Sequence, residues 1–270
     1  MDVWDFIEPE QSASCNPFDG ASYCVPYDTL VSLRPMCVSG TYEDHYGRTT
    51  MEYVGERIVL VHVPHALGDH KVPLVLFLHG LGDHPWEVAL HGTGWRRLAH
   101  QHRFVAAFCV GTDCGALSDK RCGFRVRDPE PDVAYVEAAI AHIIDTRPID
   151  TSRIYCVGFS NGAIFSSILA HHFGRKMFAA MVNVMGGFGK DGAEVVPSQQ
   201  QQQQHEGEHV PILFVTGTED DYKYGCECAH RHFCSRGYPS RLWTLEGVAH
   251  AYPQDREDNM WAFLAAHPIE

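Results

Sequence analysis

Residues 153–163 read RIYCVGFSNGA. The run Ile154-Tyr155-Cys156-Val157 is apolar and β-prone, and Gly158-Phe159-Ser160-Asn161-Gly162 is a turn. The residues that follow place Ile164, Phe165, Ile168 and Leu169 at helical spacing. The stretch is strand, sharp turn and helix, with the pattern G-x-S-x-G on the turn. A serine so placed has its hydroxyl lifted clear of the sheet edge. Both glycines are required, because a β-carbon at either would collide with the neighbouring strand or helix. Ser160 is therefore the candidate nucleophile. A tight glycine turn between a strand and a helix can carry the same residues without chemistry, so the rest of the chain decides between the two readings.

Outward from the turn, strand-like and helix-like segments alternate. Upstream, TTMEYV and RIVLVHVP are strand runs separated by Gly55-Glu56, which suggests a hairpin. VPLVLFLHG (72–80) is the continuous apolar run of a strand buried on both faces. Helical GWRRLAHQHR and the strand FVAAFCV come next, and PDVAYVEAAIAHIIDTR opens on a proline with apolar residues at 133, 136, 140, 143 and 144, a helix. Downstream, AAMVNVM, PILFVTG and SRLWTLEG read as strands, CAHRHFCSRG and DNMWAFLAAH as helices. Eight strands alternating with helices predict an α/β fold with a mainly parallel sheet covered on both faces.

Residues 1–48 contain breakers, acidic residues and three cysteines without sustained periodicity, and are read as an N-terminal extension packed on a catalytic domain of residues 49–270. Within that domain the six glutamines of 199–204 mark a low-complexity surface loop near 190–209.

At 270 residues the chain suits one large α/β domain, and its formal net charge of −13 disfavours nucleic acid and other polyanions as partners. No apolar run approaches the ~20 residues of a membrane span. The start, MDVWDFIEPE, is acidic with no apolar segment after it, so no signal peptide is visible and a cytoplasmic location is favoured. Of ten cysteines, Cys109 and Cys156 fall inside strands, where a thiol packs as a small hydrophobe. Cys226, Cys228 and Cys234 cluster with His230 and His232, but the spacing fits no zinc pattern, and no metal is expected there.

A serine hydroxyl is a weak nucleophile at neutral pH and needs a base within hydrogen-bond reach, with a third group to orient that base. In α/β-hydrolases those partners follow in the order Ser, Asp or Glu, His, on loops after late strands. PILFVTG runs into Thr218-Glu219-Asp220-Asp221, and SRLWTLEG runs into Val248-Ala249-His250, so His250 is the candidate base and the acid lies among Glu219, Asp220 and Asp221. The oxyanion of an acyl-transfer intermediate needs two backbone N–H donors. Asn161, next to the nucleophile, and Leu81, in the glycine loop His79-Gly80-Leu81-Gly82, are the candidates. Trp86, Trp95 and Tyr252 are candidates to line an apolar or aromatic acyl site.

LFLHGLGD, GWRRLAHQHRFVAAF, PDVAYVEAAIAHI, RIYCVGFSNGA, PILFVTGTEDDYKY and EGVAHAYP together resemble the successive motifs of the polyhydroxybutyrate depolymerase/feruloyl esterase type of α/β-hydrolase, over about residues 57–265. The resemblance implies the α/β-hydrolase fold and a serine esterase. It places the nucleophile of the G-x-S-N-G-A turn on Ser160, the acid of H-G-T-x-D on Asp220 and the base of G-x-x-H-x-W/Y-P on His250. Thr216 stands where the family has histidine and Asp221 where proline is common, which keeps Asp221 a rival for the acid. Many members are secreted, and the family's loop cysteines resemble Cys114 and Cys122, which implies a disulfide between them in an oxidising compartment. The expected function is hydrolysis of small or polymeric carboxylic esters without cofactor or metal. The alternatives are a peptidase, thioesterase or acyltransferase using the same three residues, or a binding protein on an inactive hydrolase fold.

Overall fold

Apolar β-prone runs and apolar-striped helices follow one another along most of the chain, and a computed structural model shows how they pair. It describes residues 40–65, 67–68, 70–112, 123–192 and 209–269. The expectations for the extension up to residue 39, the Cys114 and Cys122 loop and the 199–204 glutamine tract lie outside these residues.

Among the described residues nine strands form a single sheet: β1 (Thr41–Asp44), β2 (Gly47–Val54), β3 (Arg57–Pro64), β4 (Val72–Leu78), β5 (Val105–Cys109), β6 (Ile149–Phe159), β7 (Ala180–Val184), β8 (Ile212–Gly217) and β9 (Ser240–Leu245). Their spatial order is β1-β2-β3-β5-β4-β6-β7-β8-β9. The first three strands pair antiparallel, β3 meets β5 antiparallel, and every later pairing from β5 through β9 is parallel. The expected eight strands become nine because β1 lies in the stretch assigned to the extension. Its four residues, TYED, are polar and half-exposed at the sheet edge, so they carry no buried-strand signature.

Alternation along the central strands builds two cores. Leu74, Leu76 and Leu78 of β4 face one cluster while Val75 and Phe77 face the other. The first cluster is closed by α2 (Glu130–Thr146), α3 (Asn161–His172) and α4 (Lys223–Ser235), through Val136 and Ile140, Phe165 and Leu169, and Ala229 and Phe233 respectively. The second is closed by α1 (Trp95–His102) and α5 (Glu257–Ala265), through Trp95, Leu98, Trp261 and Phe263. α3 is buried along most of its length, its polar Ser166, Ser167 and His171 included, as expected of a helix covered by sheet and neighbours. Glu257, at the start of α5, is fully buried, and both carboxylate oxygens accept the Gly94 N–H at 2.8 Å, which ties α5 to the start of α1. Among the described residues no helix is long and apolar enough to cross a membrane.

Because β4, β6, β8 and β9 run parallel, their carboxyl ends emerge along one edge of the sheet. The loops carrying Leu81, Ser160, Asp220 and His250 leave from that edge, the usual place for a site in an open α/β sheet.

Candidate active site

The turn between β6 and α3 holds Ser160 at φ 51° and ψ −113°, a left-handed conformation that costs a non-glycine residue energy and persists only where its surroundings enforce it. The surroundings here are backbone. A β-carbon on Gly162 would lie 2.1 Å from the Leu78 carbonyl oxygen, and one on Gly158 would lie 2.5 Å from that of Gly162. The start of α3 is thus pressed onto the end of β4, and the Ser160 N–H donates to the Val184 carbonyl at 2.9 Å.

His250, on the loop after β9, reaches the serine. Its Nε2 accepts from Ser160 Oγ–H at 2.9 Å, and its Nδ1–H donates to Asp220 Oδ1 at 2.8 Å. Asp220 is sealed from solvent, its side chain 0% exposed. Its carboxylate also accepts the Thr216 hydroxyl at 3.1 Å on Oδ2 and the Tyr222 N–H at 3.0 Å on Oδ1. The neighbouring acids are placed differently. Asp221 points outward and pairs with Lys190 at 2.7 Å, which holds its carboxyl below the ordinary value, and Glu219 is exposed. Of the three acids after β8, only Asp220 touches the imidazole.

The glycine loop after β4 is held by its own polar groups. Asp83 Oδ2 accepts the Gly80 N–H at 2.7 Å. Buried His79 donates from Nδ1–H to the Gly80 carbonyl at 2.7 Å and accepts the Gly111 N–H on Nε2 at 3.0 Å. Burial lowers the His79 pKa, in keeping with the neutral tautomer these two bonds require. The Gly80 N–H is thus engaged, and Leu81, the next residue of the loop, is 60% exposed. Asn161 opens α3, so its N–H is one of the first-turn amides without an acceptor in the helix. Its side chain accepts the Phe124 N–H at 2.7 Å and donates to the Phe124 carbonyl at 3.1 Å, which brings residues 123–124 against Leu81 and the elbow.

Trp86 and Trp95 require correction as lining residues. Both are buried in the second core, at 2% and 0% exposure, and the Trp95 indole N–H donates to the Tyr252 hydroxyl at 2.7 Å. Trp95 opens α1 and Trp86 lies on the short turn before it, and both rings pack into that core, so closeness in sequence to the glycine loop did not make them lining residues of the site. Tyr252 is also largely buried, but with Phe77, His84, Thr93 and Phe159 it lines a small pocket beside the elbow. Cys226, Cys228 and Cys234 are spread around α4: Cys226 is buried, Cys228 half-buried and Cys234 exposed. Burial pushes the Cys226 thiol up to about 12.

Three contributors escaped the sequence reading: the Thr216 hydroxyl on Asp220 and the rings of Phe159 and Tyr222 beside His250. The departure of Thr216 from the family's histidine was the signal available for the first, since a strand-end residue two positions before the loop faces the acid. The rings gave no signal, because ring stacking depends on loop conformation.

Residues 120–266 match the model of the dienelactone hydrolase family. An uncharacterized hydrolase of Acanthamoeba polyphaga mimivirus is 24% identical over 256 residues, spanning 83% of this chain and 80% of the viral protein. Among solved structures, an S-formylglutathione hydrolase from Agrobacterium tumefaciens superposes with a TM-score of 0.66 at 15% identity, covering 84% of this chain and 98% of that one. An acetyl xylan esterase from Aspergillus awamori does so with a TM-score of 0.63 at 13% identity, covering 81% and 100%.

Proposed function

The chain belongs to the dienelactone hydrolase family, a hydrolase family of α/β-hydrolase fold, and from that premise we propose that it cleaves carboxylic esters through an acyl-enzyme on Ser160. The observation that carries this reading is the unbroken hydrogen-bond chain Ser160 Oγ–H to His250 Nε2, His250 Nδ1–H to Asp220 Oδ1, on a turn whose serine is held at positive φ. The esterase and hydrolase names of the structural neighbours agree with it but concern those proteins.

In the first half-reaction His250 Nε2 takes the Ser160 proton as Oγ bonds to the ester carbonyl carbon. The charge that moves to the carbonyl oxygen is met by the N–H groups of Asn161 and Leu81, and losing one such donor costs roughly 10²–10³ in rate. Asp220 holds the Nδ1–H tautomer and offsets the imidazolium charge. Its other lone pairs are held by Thr216 and Tyr222, so it is oriented toward the ring. Collapse of the intermediate breaks the bond to the alcohol, which leaves with the proton from His250. In the second half-reaction His250 removes a proton from water, the water oxygen bonds to the acyl carbon, and Ser160 leaves reprotonated. The domain carrying this chemistry is residues 49–270 together with the β1 edge strand.

Turnover of a panel of p-nitrophenyl esters graded by acyl length tests the reading. Wild-type protein should hydrolyse some member of the panel, and Ser160→Ala should abolish that turnover with its melting temperature retained. Hydrolysis that survives in Ser160→Ala refutes the assignment.

A further inference from the structure

The imidazole of His250 is held in its plane by two hydrogen bonds, one at each nitrogen. Two in-plane bonds leave one freedom, a tilt of the ring about the line joining Asp220 to Ser160, and aromatic rings restrain that tilt. The Tyr222 ring stacks on the imidazole with centroids 4.5 Å apart and planes 27° apart, and the Phe159 ring stacks with centroids 5.5 Å apart and planes 25° apart. Both partners are held by neighbours other than His250. Phe159 is buried beside the elbow with Tyr252 edge-on to it at 5.5 Å, and the half-buried Tyr222 side chain packs against the first core while its backbone N–H bonds Asp220. The side chain of His250 is nevertheless 31% exposed, so the rings, rather than burial, set its surroundings.

We propose that Tyr222 is a positioning residue of the reaction: its ring, with that of Phe159, clamps the His250 imidazole at the tilt that aims Nε2 at Ser160 and presents an electron-rich face to the imidazolium formed on proton transfer. The inference rests on the Ser160 acyl-enzyme reading. The neutral imidazole gains only dispersion from the stack, whereas the cation gains the attraction of the ring quadrupole, so the benefit is larger in the transition state than in the ground state. The Tyr222 hydroxyl has no part in it. The charged groups around His250 are Asp220 in its plane and, about Tyr222, the Lys190–Asp221 pair, whose ammonium lies 5.3 Å from the Tyr222 ring centre. That ammonium draws on the same π electrons.

The test compares Tyr222→Phe, Tyr222→Leu and Tyr222→Met on the best p-nitrophenyl ester, with Ser160→Ala alongside. All three Tyr222 variants keep the backbone N–H on Asp220, and Met, unbranched and adaptable, fills the space differently should Leu fail to fold. Tyr222→Phe should keep kcat. Tyr222→Leu and Tyr222→Met should lower kcat about five- to tenfold with KM unchanged, the scale of one cation–π contact. In the two aliphatic variants the acidic limb of the kcat/KM profile should move to lower pH, since an imidazolium deprived of the ring gives up its proton more readily. Equal losses in Phe and Leu, a loss confined to KM, or an unmoved acidic limb would overturn the clamp. Hydrolysis surviving in Ser160→Ala would instead overturn the reading beneath it.

Discussion

Asp220 and Glu257 are both carboxylates withdrawn from solvent, and they are held in opposite ways. Asp220 faces a titratable ring with a hydroxyl beyond it, and its remaining lone pairs are taken by one side chain and one amide. Glu257 faces a backbone N–H at the start of α1 and a phenol, Tyr252, whose oxygen already accepts the Trp95 indole N–H. Burial pushes Glu257 up to about 7 from an ordinary 4.5, a displacement often taken as the mark of an active site. Here that mark falls on the acid that joins α5 to α1. What separates the two acids is connection, since only Asp220 reaches a base that reaches a nucleophile.

The largest effect should come from the first of the pair. Asp220→Asn keeps the shape of the side chain but removes the charge and favours the wrong imidazole tautomer, so kcat should fall by up to roughly 10⁴. Asp221→Asn, which removes only an exposed partner of Lys190, should leave kcat nearly unchanged. Measuring both variants on one ester breaks the comparison if Asp221 proves the crippled position. Thr216→Val removes the hydroxyl from Asp220 Oδ2 and leaves a buried lone pair unmet. A hydrogen bond to a charged group is worth about 1.5–3 kcal/mol, so an effect on kcat of about tenfold or more is expected. If Thr216→Val matches wild type in both kcat and melting temperature, Asp220 is held by its other bonds alone.

A smaller, pH-dependent effect should come from Glu257. Its folded-state pKa is raised, so the folded protein holds this proton more tightly than the unfolded chain does. The stability it contributes is complete below about pH 4.5 and is lost as the pH rises through about 7. Glu257→Gln cannot ionise, so denaturant midpoints recorded from pH 5 to 8 should fall less steeply than those of wild type, while the variant keeps most of its kcat. An unchanged slope, or a kcat loss like that of Asp220→Asn, would erase the distinction between the two acids.

How much of this could be read from the sequence follows the same division. The elbow was legible because its glycines answer to local backbone crowding: Gly158 and Gly162 lie against main chain within a few residues or on the adjoining strand. Placing the acids 219–221 and His250 after β8 and β9 needed only a count of parallel strands, since each strand delivers its loop to the same edge, whereas the choice of Asp220 among the three came from the family resemblance. Long-range side-chain direction was not legible. Trp86 and Trp95 follow the glycine loop in sequence yet turn into the second core, and Tyr222 reaches His250 only because the β8 loop folds back beneath it. The edge strand TYED escaped because pairing with β2 comes from backbone hydrogen bonds, which leave no apolar pattern.

The central claim, covalent catalysis on Ser160, is tested most directly by intact-mass and peptide mass spectrometry of the protein after reaction with a fluorophosphonate. The account requires a single phosphonyl adduct on the peptide containing Ser160, absent from Ser160→Ala and formed much more slowly by Asp220→Asn. An adduct on another residue, or equal labelling of Ser160→Ala, would contradict it.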